Sequence, residues 1–205
     1  MMCEGHKMDV VYYDIYPSKA LETYVAAYGK FLESQGEPPV KVTRLQTPEE
    51  VLKTADVVSL HCNLDAGSKH LINERTLGLM KPDAVLVNSA RGPIIDERAL
   101  VARLRAFPDF RAGLDVFEHE PEMAPGLAAC PNAVILPHIA SASSWTREGM
   151  ASLAAANVAA RLSDLPAWGG GDILAFVDPA PLNAAPRASP SIVNAKELGI
   201  RVITA

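Results

Sequence analysis

The chain has 205 residues, 49% of them hydrophobic and 21% charged, with a formal net charge of −5. No basic run stands out, which argues against nucleic acid or an anionic membrane as the main partner, and no apolar stretch approaches the length of a membrane span. Cys3, Cys62 and Cys130 are odd in number and widely spaced, so neither a disulfide framework nor a zinc or other metal site is expected.

The amino terminus, Met1-Met2-Cys3-Glu4-Gly5-His6-Lys7, lacks the apolar segment of a signal peptide. Met8 to Tyr13 is an apolar run ending in Asp14 and reads as a strand. Ser18 to Leu32 has helical spacing, with Leu21, Tyr24, Val25, Tyr28 and Leu32 on one side. A polar turn over Gln35 to Pro39 precedes a short extra strand within Val40 to Leu45. Thr47-Pro48-Glu49-Glu50 is a helix start, with a threonine cap, proline at the first helical position and a glutamate reaching back.

Further strands are predicted over Val57 to His61, Ala84 to Asn88, Phe110 to Val116 and Ala133 to Leu136, with helices near Glu74–Met80 and Asp96–Ala106. Apart from the start of Phe110 to Val116 these strands are apolar throughout, which predicts cover on both faces. The alternation is that of a doubly wound parallel α/β sheet. Trp145 to Leu162 reads as a long helix with Met150, Leu153, Ala154, Val158 and Leu162 in one stripe, stopped by Pro166. The proline-rich remainder, with Gly169-Gly170-Gly171, reads as an irregular docked arm because Ile192, Val193, Leu198 and Ile200 are apolar.

Asp14 closes what reads as the second strand of a dinucleotide-binding fold, where an acidic side chain holds ribose hydroxyls. Capping the following turn is the plainer alternative. Such a strand should follow a first strand, a Gly-x-Gly-x-x-Gly turn and a helix. Only Met1 to Glu4 is available as the end of that helix, with Gly5 as its cap. The expectation is therefore an incomplete Rossmann-type sheet lacking its first strand and glycine-rich turn, and a chain that is a fragment with little activity alone. The expected division is a partial dinucleotide-binding domain over 1–143, a connecting helix over 144–165, and an arm over 166–205 that docks on a substrate domain outside the chain.

Three strings carry the chemistry: Asn88-Ser89-Ala90-Arg91-Gly92-Pro93, Asp115-Val116-Phe117-Glu118-His119-Glu120-Pro121 and Pro137-His138-Ile139-Ala140-Ser141. Each follows an apolar run, so each begins at a strand's carboxyl end, where ligands bind in an open parallel sheet. An arginine holds a carboxylate with two parallel hydrogen bonds. A histidine exchanges a proton near neutral pH, and a carboxylate orients it and stabilises its protonated form. Glu118 and Glu120 are both candidates for that carboxylate, while His6, His61, His70 and His119 read as ordinary histidines. Cys62 reads as a packing residue, and Trp145 either borders the substrate or anchors its helix.

Together with Tyr12-Tyr13-Asp14, Ala26-Ala27-Tyr28-Gly29 and the insert after it, Ser59-Leu60-His61 and Ser141-Ala142-Ser143-Ser144-Trp145-Thr146-Arg147-Glu148-Gly149-Met150, these strings are highly specific. The chain resembles the D-isomer-specific 2-hydroxyacid dehydrogenases, and within them the branch of plant and algal NADH-dependent hydroxypyruvate reductases (glycerate dehydrogenases). The resemblance implies that Arg91 binds the carboxylate and carbonyl of a small 2-oxo acid, and that His138 is the proton donor with Glu120 as its partner. It implies that Asp14 faces the ribose and Asp115 the nicotinamide carboxamide. His61, Cys62, Asn63, Leu64, Ser89, Ala90, Arg91, His138 and Ser141 would line the cofactor. An acidic Asp14 repels a 2′-phosphate, so NAD, as NADH, is expected rather than NADPH.

The resemblance also implies a homodimeric parent enzyme that reduces hydroxypyruvate, and glyoxylate with it. An intracellular location is expected, with peroxisome, mitochondrion and cytosol left open because the chain ends Ile203-Thr204-Ala205 instead of Ser-Lys-Leu. Two rivals share the fold. Formate dehydrogenases need no proton donor and resemble this pattern except for glutamine where Glu120 stands. Nucleotide-sensing corepressors are disfavoured by the plant-type insert and the Ser189-Pro190-Ser191-Ile192-Val193-Asn194 segment.

Overall fold

The computed structural model describes residues 6–168, 188–189, 192 and 194–203. The expected helix end at Met1–Glu4 with its Gly5 cap, the Gly169-Gly170-Gly171 run and Val193 lie outside the described residues. The chain forms two compact units, Met1–His138 and Ile139–Ala205.

The first unit runs β1 (Val10–Tyr12), α1 (Lys19–Ser34), β2 (Val42–Arg44), α2 (Pro48–Thr54), β3 (Val57–Leu60), α3 (Glu74–Leu77), β4 (Val85–Asn88), α4 (Glu97–Ala106), β5 (Arg111–Leu114) and β6 (Ala133–Ile135). All pairings are parallel, as the alternating order predicts, but they form two sheets: β1-β2, and β3-β4-β5-β6. α2 starts as its sequence requires: Glu50 N–H donates to the Thr47 hydroxyl, and the Glu50 carboxylate accepts from Thr47 N–H. α3 is shorter than expected, ending at Leu77 with Gly78 as its cap.

Register puts Val58, Leu86, Ala112 and Ala133 level on one face of the larger sheet, with Leu60, Asn88, Leu114 and Ile135 on the next level. That face packs against Leu52 of α2, Leu77 of α3, and Leu100, Val101 and Leu104 of α4. Leu86, Ile94, Leu100 and Leu127 are wholly buried there, each contributing roughly 2 kcal/mol of hydrophobic stabilisation. The opposite face is not covered in the same way: Val57 is 45% exposed and Val134 65%. This corrects the expectation of strands buried on both sides, because apolar residues show that a face suits burial without supplying the element that buries it.

On α1, Val25 and Leu32 are buried with Val40 as a smaller core, Leu21 and Tyr28 packing beside them. Tyr24, expected in that stripe, is 46% exposed. Gly29 completes the buried side instead, where a Cβ would stand 3.1 Å from the Val40 carbonyl oxygen and hold the helix off.

In the second unit, α5 (Ser144–Leu162) is capped by the Ser143 hydroxyl, which accepts from Thr146 N–H. Its expected apolar stripe is largely exposed: Met150 at 54%, Val158 at 61% and Leu162 at 84%. β7 (Ala167–Trp168) pairs in parallel with β8 (Val202–Ile203). Just past the helix Leu165 N–H donates to Ala160 C=O, and the Ser189 hydroxyl donates to Asn157 C=O, so Ser189 is tied to α5. The helix and the described part of the arm fall in one unit, Ile139–Ala205. Among the described residues, no helix is long and apolar enough to cross a membrane.

Candidate active site

The strands of the larger sheet end level, with Leu60, Asn88, Leu114 and Ile135 in register. Their following loops therefore leave one edge together, the edge where open parallel sheets bind ligands.

The Arg91 loop is shaped by Asn88, which is 1% exposed. Its Nδ2 donates to Arg91 C=O and its Oδ1 accepts from Ala90 N–H, both at 3.0 Å. Asn88 was not singled out from the sequence; a polar residue closing an apolar run is the signal that finds it. Ser89 and Arg91 are exposed, Ala90 half-buried, and the guanidinium Nη1 donates to Ala90 C=O at 2.6 Å. The Asp115 loop is tied to the Arg91 loop, since Asp115 N–H donates to Asn88 C=O at 3.0 Å. Asp115 itself is buried.

Glu120 and His138 meet. His138 Nδ1 lies 2.8 Å from Glu120 Oε2, while Glu120 Oε1 accepts from Phe117 N–H at 3.0 Å. The His138 contact, followed by the Phe117 N–H, holds the Glu120 carboxyl below the usual carboxylate range. Both side chains keep access to solvent, at 49% for His138 and 36% for Glu120. His138, in the loop after β6, has a left-handed backbone, φ 54°, which costs a non-glycine residue about 1 kcal/mol or more. With Nδ1 on Glu120, Nε2 is the ring nitrogen directed away from the carboxylate. The other candidate, Glu118, bonds His70 Nε2 at 2.6 Å instead.

The remaining candidates are more scattered. Asp14 follows β1 on the smaller sheet; its Oδ1 accepts from Tyr16 N–H at 2.9 Å, and Arg44 Nη2 donates to its carbonyl at 2.8 Å. His61, Cys62, Asn63 and Leu64 are exposed at the mouth of β3, where His61 Nε2 contacts the Ser59 hydroxyl at 2.8 Å. The loop beyond them is self-braced, because Asp65 Oδ1 accepts from the N–H groups of Gly67 and Ser68, and those bonds lower its carboxyl pKa. Cys62 is exposed at the mouth of β3, and partial desolvation pushes its thiol pKa up, the opposite direction from an activated thiolate. Ser141 falls in the second unit, on which Trp145 is 73% exposed.

The family model for the D-isomer specific 2-hydroxyacid dehydrogenase NAD binding domain matches residues 1–140. The chain belongs to that family. It is 54% identical to a peroxisomal glycerate dehydrogenase of Arabidopsis thaliana, the match covering 98% of this chain and 52% of the relative. It is also 54% identical to glycerate dehydrogenase of Cucumis sativus, over 97% of this chain and 52% of the relative. Among solved structures it resembles an NADPH-dependent glyoxylate/hydroxypyruvate reductase from Sinorhizobium meliloti, in complex with NADP and malonate. That likeness has a TM-score of 0.66 at 29% identity and covers 79% of this chain and 45% of the other. The chain spans about half the length of the curated relatives it matches.

The fold is α/β and Rossmann-like, and a nicotinamide cofactor fits the residues present. The buried Asp115 follows β5, and Asn63 and Leu64 are exposed in the loop after β3, all beyond the carboxyl ends of the strands, where open parallel sheets bind ligands.

Proposed function

We propose that the enzyme carrying this chain reduces hydroxypyruvate, and glyoxylate, to the corresponding D-2-hydroxy acid with NADH, and does so as a homodimer. The observation that carries this is the 2.8 Å contact of His138 Nδ1 with Glu120 at the exit of β6. An imidazole fixed through one nitrogen by a carboxylate offers the other as a proton donor of defined direction.

Bound reduced nicotinamide supplies the hydride that reduces C2 of the 2-oxo acid. Asp115, and the loop from Cys62 to Leu64, would hold the cofactor, with Asp14 at the ribose. Arg91 holds the substrate carboxylate through two N–H groups and places positive charge beside the carbonyl as negative charge grows on its oxygen. His138 Nε2 delivers a proton to that oxygen. Glu120 keeps the ring oriented and offsets the charge on its protonated form. Phe117 N–H, bonded to the far oxygen of Glu120, keeps the carboxylate from swinging away.

The test is consumption of NADH with hydroxypyruvate by a full-length enzyme carrying this chain. Turnover is expected, with His138→Gln slowing it by about 10²–10⁴-fold. An enzyme that binds NADH but reduces neither hydroxypyruvate nor glyoxylate would overturn the proposal.

A further inference from the structure

Glu97 opens α4 in a position where an exposed acid normally serves the helix dipole. Here it is only 3% exposed, and burying a carboxylate is costly unless its oxygens are bonded. It is not the cap, because Asp96 performs that task by accepting from Ala99 N–H. Its oxygens are instead used one each on the loop that presents Glu120. Oε1 accepts from Glu118 N–H, and Oε2 from Ala124 N–H at 2.7 Å. The two amides lie on either side of Glu120 in the chain.

The loop answers in kind. Glu118 Oε2 lies 3.5 Å from Glu97 N–H, and its Oε1 bonds His70 Nε2, so the two glutamates brace each other's backbone. Next to the clamped Glu118 amide is Phe117, whose N–H holds Glu120 Oε1 while Oε2 meets His138.

We propose that Glu97 is a positioning residue for the acid–base pair: by clamping the backbone at Glu118 and Ala124 it sets where Glu120 stands and hence how His138 is aimed. This rests on the assignment of His138 and Glu120 as the proton-transferring pair. The task requires a carboxylate in particular. Two N–H donors approach two different oxygens, and an ionised carboxylate is acceptor-only at both. Glutamine fills the same volume but turns an NH₂ toward one of the donors, so Glu97→Gln leaves packing alone while breaking one arm of the clamp.

The test uses the 205-residue chain and no turnover. Amide hydrogen exchange is followed at Glu118 and Ala124, and the Glu120 carboxyl is titrated by carbon NMR, with and without Glu97→Gln. The groups acting on Glu120 are His138 and Phe117 N–H, which lower its pKa, and Asp115, which raises it. In Glu97→Gln, at least one of the two amides should exchange about tenfold faster or more. The Glu120 titration should also move up toward the usual carboxylate range, because its two favourable partners are no longer held in place.

An unmoved Glu120 titration overturns the proposal, even if the amides exchange faster. Should Glu97→Gln not fold, the unaltered chain decides: exchange at Glu118 and Ala124 as fast as in an unstructured peptide overturns the clamp, and protection by about tenfold or more supports it. Failure of the clamp leaves the proposed reduction standing, and absence of 2-oxo acid reduction leaves these readouts unaffected.

Discussion

The backbones of Gly92 and Phe117 meet with no room for a side chain: a Cβ at position 92 would stand 1.8 Å from the Phe117 carbonyl oxygen. Gly92 follows Arg91, and Phe117 donates its N–H to Glu120, so this contact seats the arginine loop against the loop of the acid–base pair. The requirement is for space, since Gly92 is not among the glycines with positive φ. Gly92→Ala should force the two loops apart and destabilise the fold by about 1–3 kcal/mol, the usual range for forced overpacking. Urea unfolding measures this. In a full-length enzyme the same change should lower kcat/KM, because Arg91 shifts relative to His138. An unchanged unfolding midpoint would mean that the loops part freely.

Asn88 controls the same loop from beneath. Asn88→Ala removes the donor to Arg91 C=O and the acceptor for Ala90 N–H, leaving part-buried backbone groups short of partners at a cost of about 1–3 kcal/mol. Asn88→Asp keeps the acceptor and loses only the donor, so its effect should concentrate on Arg91. If Arg91 holds the substrate carboxylate, Asn88→Asp raises KM for the 2-oxo acid more than it lowers kcat. Steady-state kinetics of a full-length enzyme decides, and a fall in kcat alone would contradict the role.

The Glu120 carboxyl titrates below its ordinary range, chiefly through His138 and then Phe117 N–H. A folded-state pKa below the unfolded one adds stability that is fully present above the unfolded pKa. That stability is lost as pH falls through the folded pKa. Glu49, lowered first by Arg75, and Asp65, lowered by its loop amides, act in the same direction. The chain should therefore lose stability progressively below about pH 4.5, the ordinary value for a glutamate. Glu120→Gln should flatten that loss in denaturant midpoints measured against pH, modestly, because the side chain is 36% exposed. Identical pH profiles for the two proteins would show that the His138 contact is not maintained in solution.

What could be read in advance follows the range of the interactions concerned. The capping box at Thr47 and Glu50 is complete within four residues, and β3 to β6 announce themselves as apolar runs. β7 and β8 are two residues each and pair Ala167 with Val202 across a long separation, which leaves no local period to detect. The uncovered sheet face at Val57 and Val134 was illegible for a related reason, since a strand records that it suits burial and not what buries it. At the candidate site, Arg91, Glu120 and His138 stand out in the sequence as polar residues in the loops that follow strands. Glu118 and Glu120 were inseparable as residues on one loop. Tertiary placement distinguishes them, with His70 beside one and His138 beside the other. Asn88 and Glu97 serve backbone amides and carbonyls, a task that leaves little trace in a single sequence.

The proposed preference for NADH rests on Asp14. The solved relative from Sinorhizobium meliloti is NADPH-dependent, so the proposed preference for NADH needs its own test. Here the Asp14 carboxylate follows β1 and accepts from Tyr16 N–H, while the guanidinium of Arg44, the nearby cation, is directed at the carbonyls of Asp14 and Ile15. A carboxylate in that turn accepts hydrogen bonds from a free ribose diol and repels a phosphate in its place. NADH should thus support a higher kcat/KM than NADPH in a full-length enzyme carrying this chain. Asp14→Ser removes the repulsion while keeping a hydroxyl for the Tyr16 amide, and should shift the NADH-to-NADPH ratio toward NADPH by about tenfold or more. Preference for NADPH in the unaltered enzyme, or a ratio that Asp14→Ser leaves unmoved, would remove Asp14 from the ribose site and leave it as a turn residue.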